Sequence, residues 1–209
     1  MSDYLAYPKS TPRGGILVLH AWWGLNDFFK GLCERLADEG YIALAPDLYN
    51  GAIAGTIPEA EKLSTKLKQE TTSKKILQSL KQLQVETKQP IGLIGFSLGA
   101  YWGLRLLEEK PKAFSATVLF YGTRGGEYAK TKSAFLGHFA ENDPYESPES
   151  VKQLERDLRA AGRAVTFYTY PGTGHWFFET DQADAYNAGA AQLAWTRTVE
   201  FLRNSLSED

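Results

Sequence analysis

The chain has one cysteine, one methionine and three histidines among 209 residues. A lone Cys33 excludes an internal disulfide and fits a reducing compartment. An excess of either charge is missing too: 23 Lys and Arg stand against 25 Asp and Glu, a formal net charge of −2. That balance leaves no basic footprint for nucleic acid or an anionic membrane. Long apolar runs are absent, since the longest stretch, around "GGILVLHAWWGL", contains His20 and is too short to span a bilayer. The start "MSDYLAYPKS" offers neither a basic segment nor an apolar one, so no signal peptide is expected. What is present is ordinary for a globular protein, 43% hydrophobic and 23% charged residues. The expectation is one domain over residues 1–209, cytoplasmic, with no membrane or nucleic-acid partner.

Six short runs rich in β-branched and aromatic residues read as buried strands: Ile16–His20, Tyr41–Ala45, Ile91–Phe96, Ala116–Tyr121, Ala134–Phe139 and Val165–Tyr170. "YLAYP" is a weaker edge-strand candidate. Helical periodicity fills the intervals. Phe29, Leu32, Cys33 and Leu36 form an i, i+3, i+4, i+7 stripe, opened by Asn26 and closed by Gly40. Ile76, Leu80 and Leu83 follow Thr72 and Ser73; Ser147-Pro148 opens a helix ending near Gly162; Trp195, Val199, Leu202 and Leu206 mark a last one. This alternation predicts an α/β fold, a mainly parallel sheet with helices on both faces. Only Gly122 to Ser133 separates the fourth and fifth strands, too little for an inserted cap domain. In such sheets chemistry collects where strands end and loops run into helices.

"GFSLG" is G-x-S-x-G between the apolar strand "IGLIGF" and a helix-like segment from Leu98 to about Glu109. That is the context a nucleophile elbow demands. A sharp strand-to-helix turn forces the serine into a strained conformation and leaves no room for flanking side chains. Ser97 would then stand at a helix N-terminus that favours a developing oxyanion. The plainer reading is a small residue in a tight turn.

A serine hydroxyl needs a base to become a nucleophile. His175, in "YPGTGHWFF", follows a strand directly and is the candidate. His138 reads as a structural residue inside a strand, and His20 as one that shapes the loop after it. The base needs an acid to hold its tautomer. "FLGHFAENDPYES" supplies Asp143, with Glu141 as local rival; Asp47 in "APDLY" reads as a turn residue. The order Ser97, Asp143, His175 is the chain order of α/β hydrolases. Of two oxyanion donors, one would be the N–H of Leu98 and the second that of Trp22 or Trp23 in "HAWWGLN". Trp22, Trp23, Tyr145, Trp176, Phe177 and Phe178 fall on loops that could form an aromatic substrate pocket. Arg124 is a candidate clamp for a substrate carboxylate, with a solvated surface arginine as the favoured reading.

With these residues assembled, the sequence resembles the dienelactone hydrolase family of α/β hydrolases. The resemblance runs through "GGILVLHAWWGLNDFFKGLCERLADEGYIALAPDLYNG", "IGLIGFSLGAYWG", "FYGT", "HFAENDPY" and "YPGTGHWFF". It implies a compact α/β-hydrolase fold without a cap domain and without metal or cofactor. It also implies a triad of Ser97, Asp143 and His175, with oxyanion donors at Trp22 and Leu98. Two positions depart from the family pattern: serine replaces the usual cysteine at 97, and Ala21 stands where a glutamate partners that cysteine. The expected activity is hydrolysis of small carboxylic esters or lactones through an acyl-enzyme. A thioesterase with the same groups, or a silent ligand-binding protein of the same fold, is the alternative.

Overall fold

The computed structural model describes residues 3–207. Its frame is a seven-stranded sheet made of β1 (Tyr4–Ala6), β2 (Gly14–Leu19), β3 (Tyr41–Ala45), β4 (Ile91–Phe96), β5 (Ala116–Phe120), β6 (Ala134–Asn142) and β7 (Val165–Gly174). The strands lie in the order β1-β3-β2-β4-β5-β6-β7. Every neighbouring pair is parallel except β1 with β3. "YLA" is therefore the antiparallel edge, as its short polar-flanked sequence suggested.

Successive side chains on a strand point to opposite faces, so fully apolar strands feed two cores at once. Ile16 and Val18 of β2 enter one, Leu17 and Leu19 the other. The first core receives Phe29, Cys33 and Leu36 from α1 (Asp27–Asp38) and Ala194 and Leu202 from α6 (Ala188–Ser205). The second receives Ile76 and Leu80 from α3 (Gln69–Glu86), Leu104 and Leu107 from α4 (Leu98–Glu109), and Leu154 and Leu158 from α5 (Pro148–Ala160). Helices thus cover both faces. A 13-residue connection, 121–133, joins β5 to β6, and among the described residues no cap domain sits over the strand ends.

Several boundaries differ from the periodicity. The helix expected after Thr72 and Ser73 begins at Gln69, so Thr72 lies buried inside it. A short helix α2 (Ile57–Ser64), capped by Thr56, carries a single buried residue, Ala60, and leaves no apolar stripe to read. Strands β6 and β7 run on to Asn142 and Gly174, because Asn142 pairs with Gly174 after an irregularity at Ala140. Among the described residues no helix is long and apolar enough to cross a membrane.

His138 is fully buried on β6, its ring nitrogens bonded to the Tyr170 hydroxyl at 2.8 Å and to Thr198 Oγ1 at 3.0 Å. Burial, with Arg197 nearby, holds its pKa down to about 3, against 6.5 for an ordinary imidazole. Between those values the unfolded chain binds a proton that the folded one refuses, so stability falls as pH drops through that window. Urea unfolding should show this group's share as about 1.4 kcal/mol per pH unit between pH 6 and 4, a share that His138→Gln removes from the slope.

Candidate active site

The junction of β4 and α4 decides the site. Ser97 is the residue before α4, and its backbone sits at φ 49°, ψ −110°, a conformation L-residues rarely adopt. The helices opened by Asn26, Thr56, Ser147 and Asn187 use the cap side chain to accept a first-turn N–H. Ser97 makes no such bond. Its Oγ lies instead 2.9 Å from His175 Nε2. The two flanking glycines are needed for space. A Cβ on Gly99 would stand 2.1 Å from the Leu19 carbonyl oxygen, and one on Gly95 would stand 2.7 Å from Ala100 Cα. Helix α4 therefore packs backbone against backbone on the ends of β2 and β4.

The far side of the site follows from the β6–β7 register. Because Asn142 pairs with Gly174, the next residue of each strand, Asp143 and His175, emerges beside the other. Asp143 Oδ1 accepts the N–H groups of Tyr145 and Glu146 at 2.9 and 3.1 Å, which fixes the carboxylate plane. Oδ2 is then left facing His175 Nδ1 at 2.7 Å. Both side chains are 3% exposed, so this contact is shielded from water. The rival acid Glu141 turns away and accepts the Gly172 N–H at 2.8 Å. Asp47 caps its own turn through the Tyr49 N–H at 3.0 Å.

Leu98 opens α4, where first-turn N–H groups have no helical acceptor. Trp22 and Trp176 are half-buried and Tyr145 is exposed. Tyr145 packs on Trp22 at 5.6 Å, on His175 at 5.0 Å and on Trp176 at 5.2 Å between ring centroids. These three aromatics gather beside the His175 ring. Other expected pocket residues lie elsewhere. Phe177 is fully buried between Tyr121 and Tyr170, Phe178 packs on Phe120, and Trp23, 4% exposed, packs under Trp176. The turn after His175 carries Phe177 and Phe178 one after the other into the core, and Trp176 covers Trp23. Arg124 has a partner of its own. Its guanidinium lies 2.5 Å from Glu108 and over the Tyr101 ring, so it is already paired and not held open as a clamp. Cys33 is buried on α1, and burial pushes its thiol up to about 12.

Two carboxyls near His175, one buried and one half-buried, escaped the sequence reading. Glu179 is fully buried and accepts the Tyr121 hydroxyl at 2.6 Å; burial drives its pKa well above the usual carboxylate value. Tyr121, in a left-handed conformation at φ 36°, packs its ring 4.8 Å from His175 and forms the floor under the imidazole. Glu146 is raised by burial and accepts both the N–H and the hydroxyl of Thr123, tying the Asp143 loop to the end of β5. Nothing in spacing distinguishes these from surface acids; only the "YG" and "HWFFE" context after strands hinted at them.

The dienelactone hydrolase family model matches residues 1–206. The chain belongs to the dienelactone hydrolase family. It is 30% identical to the protein named usf of Aquifex pyrophilus over 98% of this chain and 93% of that one. It is 28% identical to an Aquifex aeolicus (strain VF5) protein that carries the provisional name carboxymethylenebutenolidase, over 97% and 93%. The fold matches a crystal structure described as a dienelactone hydrolase-like promiscuous phosphotriesterase from metagenomic libraries, with a TM-score of 0.85 at 21% identity over 99% and 97% of the two chains. Membership makes this chain a hydrolase of a family that acts on small-molecule esters or lactones. Gly99→Ala should abolish soluble, cooperatively folding protein or displace α4, because backbone is what the new methyl meets; circular dichroism melting checks this.

Proposed function

We propose that this hydrolase cleaves small carboxylic esters or lactones with Ser97 as nucleophile, His175 as base and Asp143 as the acid that orients it. The observation that carries the reading is the unbroken run from Ser97 Oγ through the His175 ring to Asp143, built on a serine whose backbone is strained and whose hydroxyl caps nothing. In the proposed sequence Oγ attacks the carbonyl while Nε2 takes its proton. The N–H groups of Leu98 and Trp22 stabilise the oxyanion as the tetrahedral intermediate forms. Collapse expels the alcohol, which receives the proton from His175, and leaves an acyl-enzyme. A water deprotonated by His175 then attacks the acyl carbonyl and releases the acid. The buried Asp143 keeps Nδ1 protonated and stabilises the imidazolium in each half.

Serine in this role makes the missing carboxylate at Ala21 intelligible. A thiol can be kept dormant or activated by shifting its pKa, whereas this hydroxyl depends on His175 throughout. In this reading Trp22, Tyr145 and Trp176 form the rim, which favours a flat or apolar acyl group. The single buried cysteine fits a cytoplasmic protein.

A fluorophosphonate probe should label Ser97, read as an adduct on the tryptic peptide by mass spectrometry. Ser97→Ala and His175→Ala should lose the label and about 10³-fold or more in kcat/KM on an activated ester. A folded wild-type protein that neither labels nor turns over would leave the reading without support. For the acid, Asp143→Asn should lower kcat by about 10²- to 10⁴-fold, while Glu141→Gln stays within a few-fold of wild type. The reverse ranking would name Glu141.

A further inference from the structure

His20 is a fully buried histidine that the proposed chemistry does not use. Its Nε2 lies 3.2 Å from the Leu48 backbone nitrogen, and its Nδ1 lies 2.7 Å from the Ala21 carbonyl oxygen. A backbone N–H can only donate, so Nε2 must be the bare acceptor and the proton must sit on Nδ1. Nδ1–H therefore donates to the Ala21 carbonyl. Burial holds the imidazole down to about 4, with Asp47 and Lys75 the charges that act on it, so the ring is neutral at ordinary pH. Contacts with Phe29 and Tyr49, 6.1 and 5.1 Å between ring centroids, restrict its rotation.

The carbonyl so held belongs to the same peptide unit as the Trp22 N–H. That unit is planar and trans, and its C=O and N–H point in opposite directions. A second donor, the Gly24 N–H at 3.3 Å, reaches the same oxygen and tightens the turn. Pinning the Ala21 oxygen thus aims the Trp22 N–H away from the His20 ring. The stretch also abuts the elbow, since Gly99 lies directly against the Leu19 and His20 carbonyls. We propose that His20 is a positioning residue for the oxyanion hole: through the Ala21 carbonyl it fixes the direction of the Trp22 N–H, without touching substrate. The inference rests on the serine-hydrolase reading above.

Two substitutions separate this role from ordinary core packing. An asparagine amide nitrogen can occupy the place of Nδ1, so His20→Asn keeps the donor to Ala21 and drops the acceptor for Leu48. A glutamine amide oxygen can occupy the place of Nε2, so His20→Gln keeps the Leu48 bond and drops the one to Ala21. Each loses one of the two bonds, and a purely structural histidine would suffer alike in both.

The expected result is a fall in kcat of about 10- to 100-fold in His20→Gln, with KM within about three-fold, while His20→Asn stays within a few-fold of wild type. Urea midpoints of the two should be similar. Equal losses in both variants, or a loss carried by KM, overturn the inference. A measurement on the wild type guards against poorly folding variants. Nitrogen-15 NMR should show the His20 ring neutral and protonated on Nδ1 from pH 8 to 5, and an Nε2–H tautomer overturns the inference by itself. A wild-type protein in which Ser97 takes no fluorophosphonate fails the serine reading and this one together; matched variants over a labelled wild type fail this one alone.

Discussion

Backbone-to-backbone contact at the β4–α4 junction is the constraint on which the rest of the site depends. Gly95 and Gly99 let the first turn of α4 press onto the ends of β2 and β4 at distances no side chain would permit. The chain can make that approach only by reversing sharply at Ser97, which puts a non-glycine residue at positive φ. Strain of this kind costs on the order of 1–3 kcal/mol and persists only where surrounding packing over-determines it. Here the surrounding packing is the fully buried strands β2, β4 and β5, with Phe96 stacked on Phe120 at 4.4 Å. Stability of the sheet and exposure of one hydroxyl are therefore the same structural fact.

The opposite wall is built by another device. Asp143 and His175 sit on strands that are neighbours in the sheet, so their meeting needs only the register in which Asn142 pairs with Gly174. A slip of one residue would turn either side chain to the other face. The two backbone N–H groups on Asp143 Oδ1, the Glu146–Thr123 bonds and the Tyr121–Glu179 floor then remove the remaining freedom of the pair. Tyr121 and Glu179 are buried, and Thr123 and Glu146 are half-buried, so water competes little for these bonds.

Legibility differed along the chain for identifiable reasons. The strands Tyr41–Ala45 and Ile91–Phe96 were readable to the residue because strands buried on both faces are continuous apolar runs between turn signals. The α1 stripe was equally plain, and all four of its members are buried. Helix α2 was not, since it buries only Ala60 and so has no periodic face. Phe177 looked like a pocket residue because position on a loop says nothing about which way a ring points, and here it points into the core. Arg124 looked free because its partner, Glu108, lies on α4, on the other side of β5 in the chain.

By itself the sequence determined the α/β architecture, the elbow at Ser97 and the short list of histidines and carboxylates that could serve it. Those are properties of local spacing, turn chemistry and hydrophobic periodicity, all carried by residues adjacent in the chain. Only the tertiary structure decided that Asp143 and not Glu141 faces His175, that Trp22, Tyr145 and Trp176 come together beside it, and that Glu179 is buried against the Tyr121 hydroxyl. It also decided that His20 holds the Ala21 carbonyl. Each of those depends on distances between chain segments tens of residues apart, or on the facing of one peptide plane, and no local pattern encodes either.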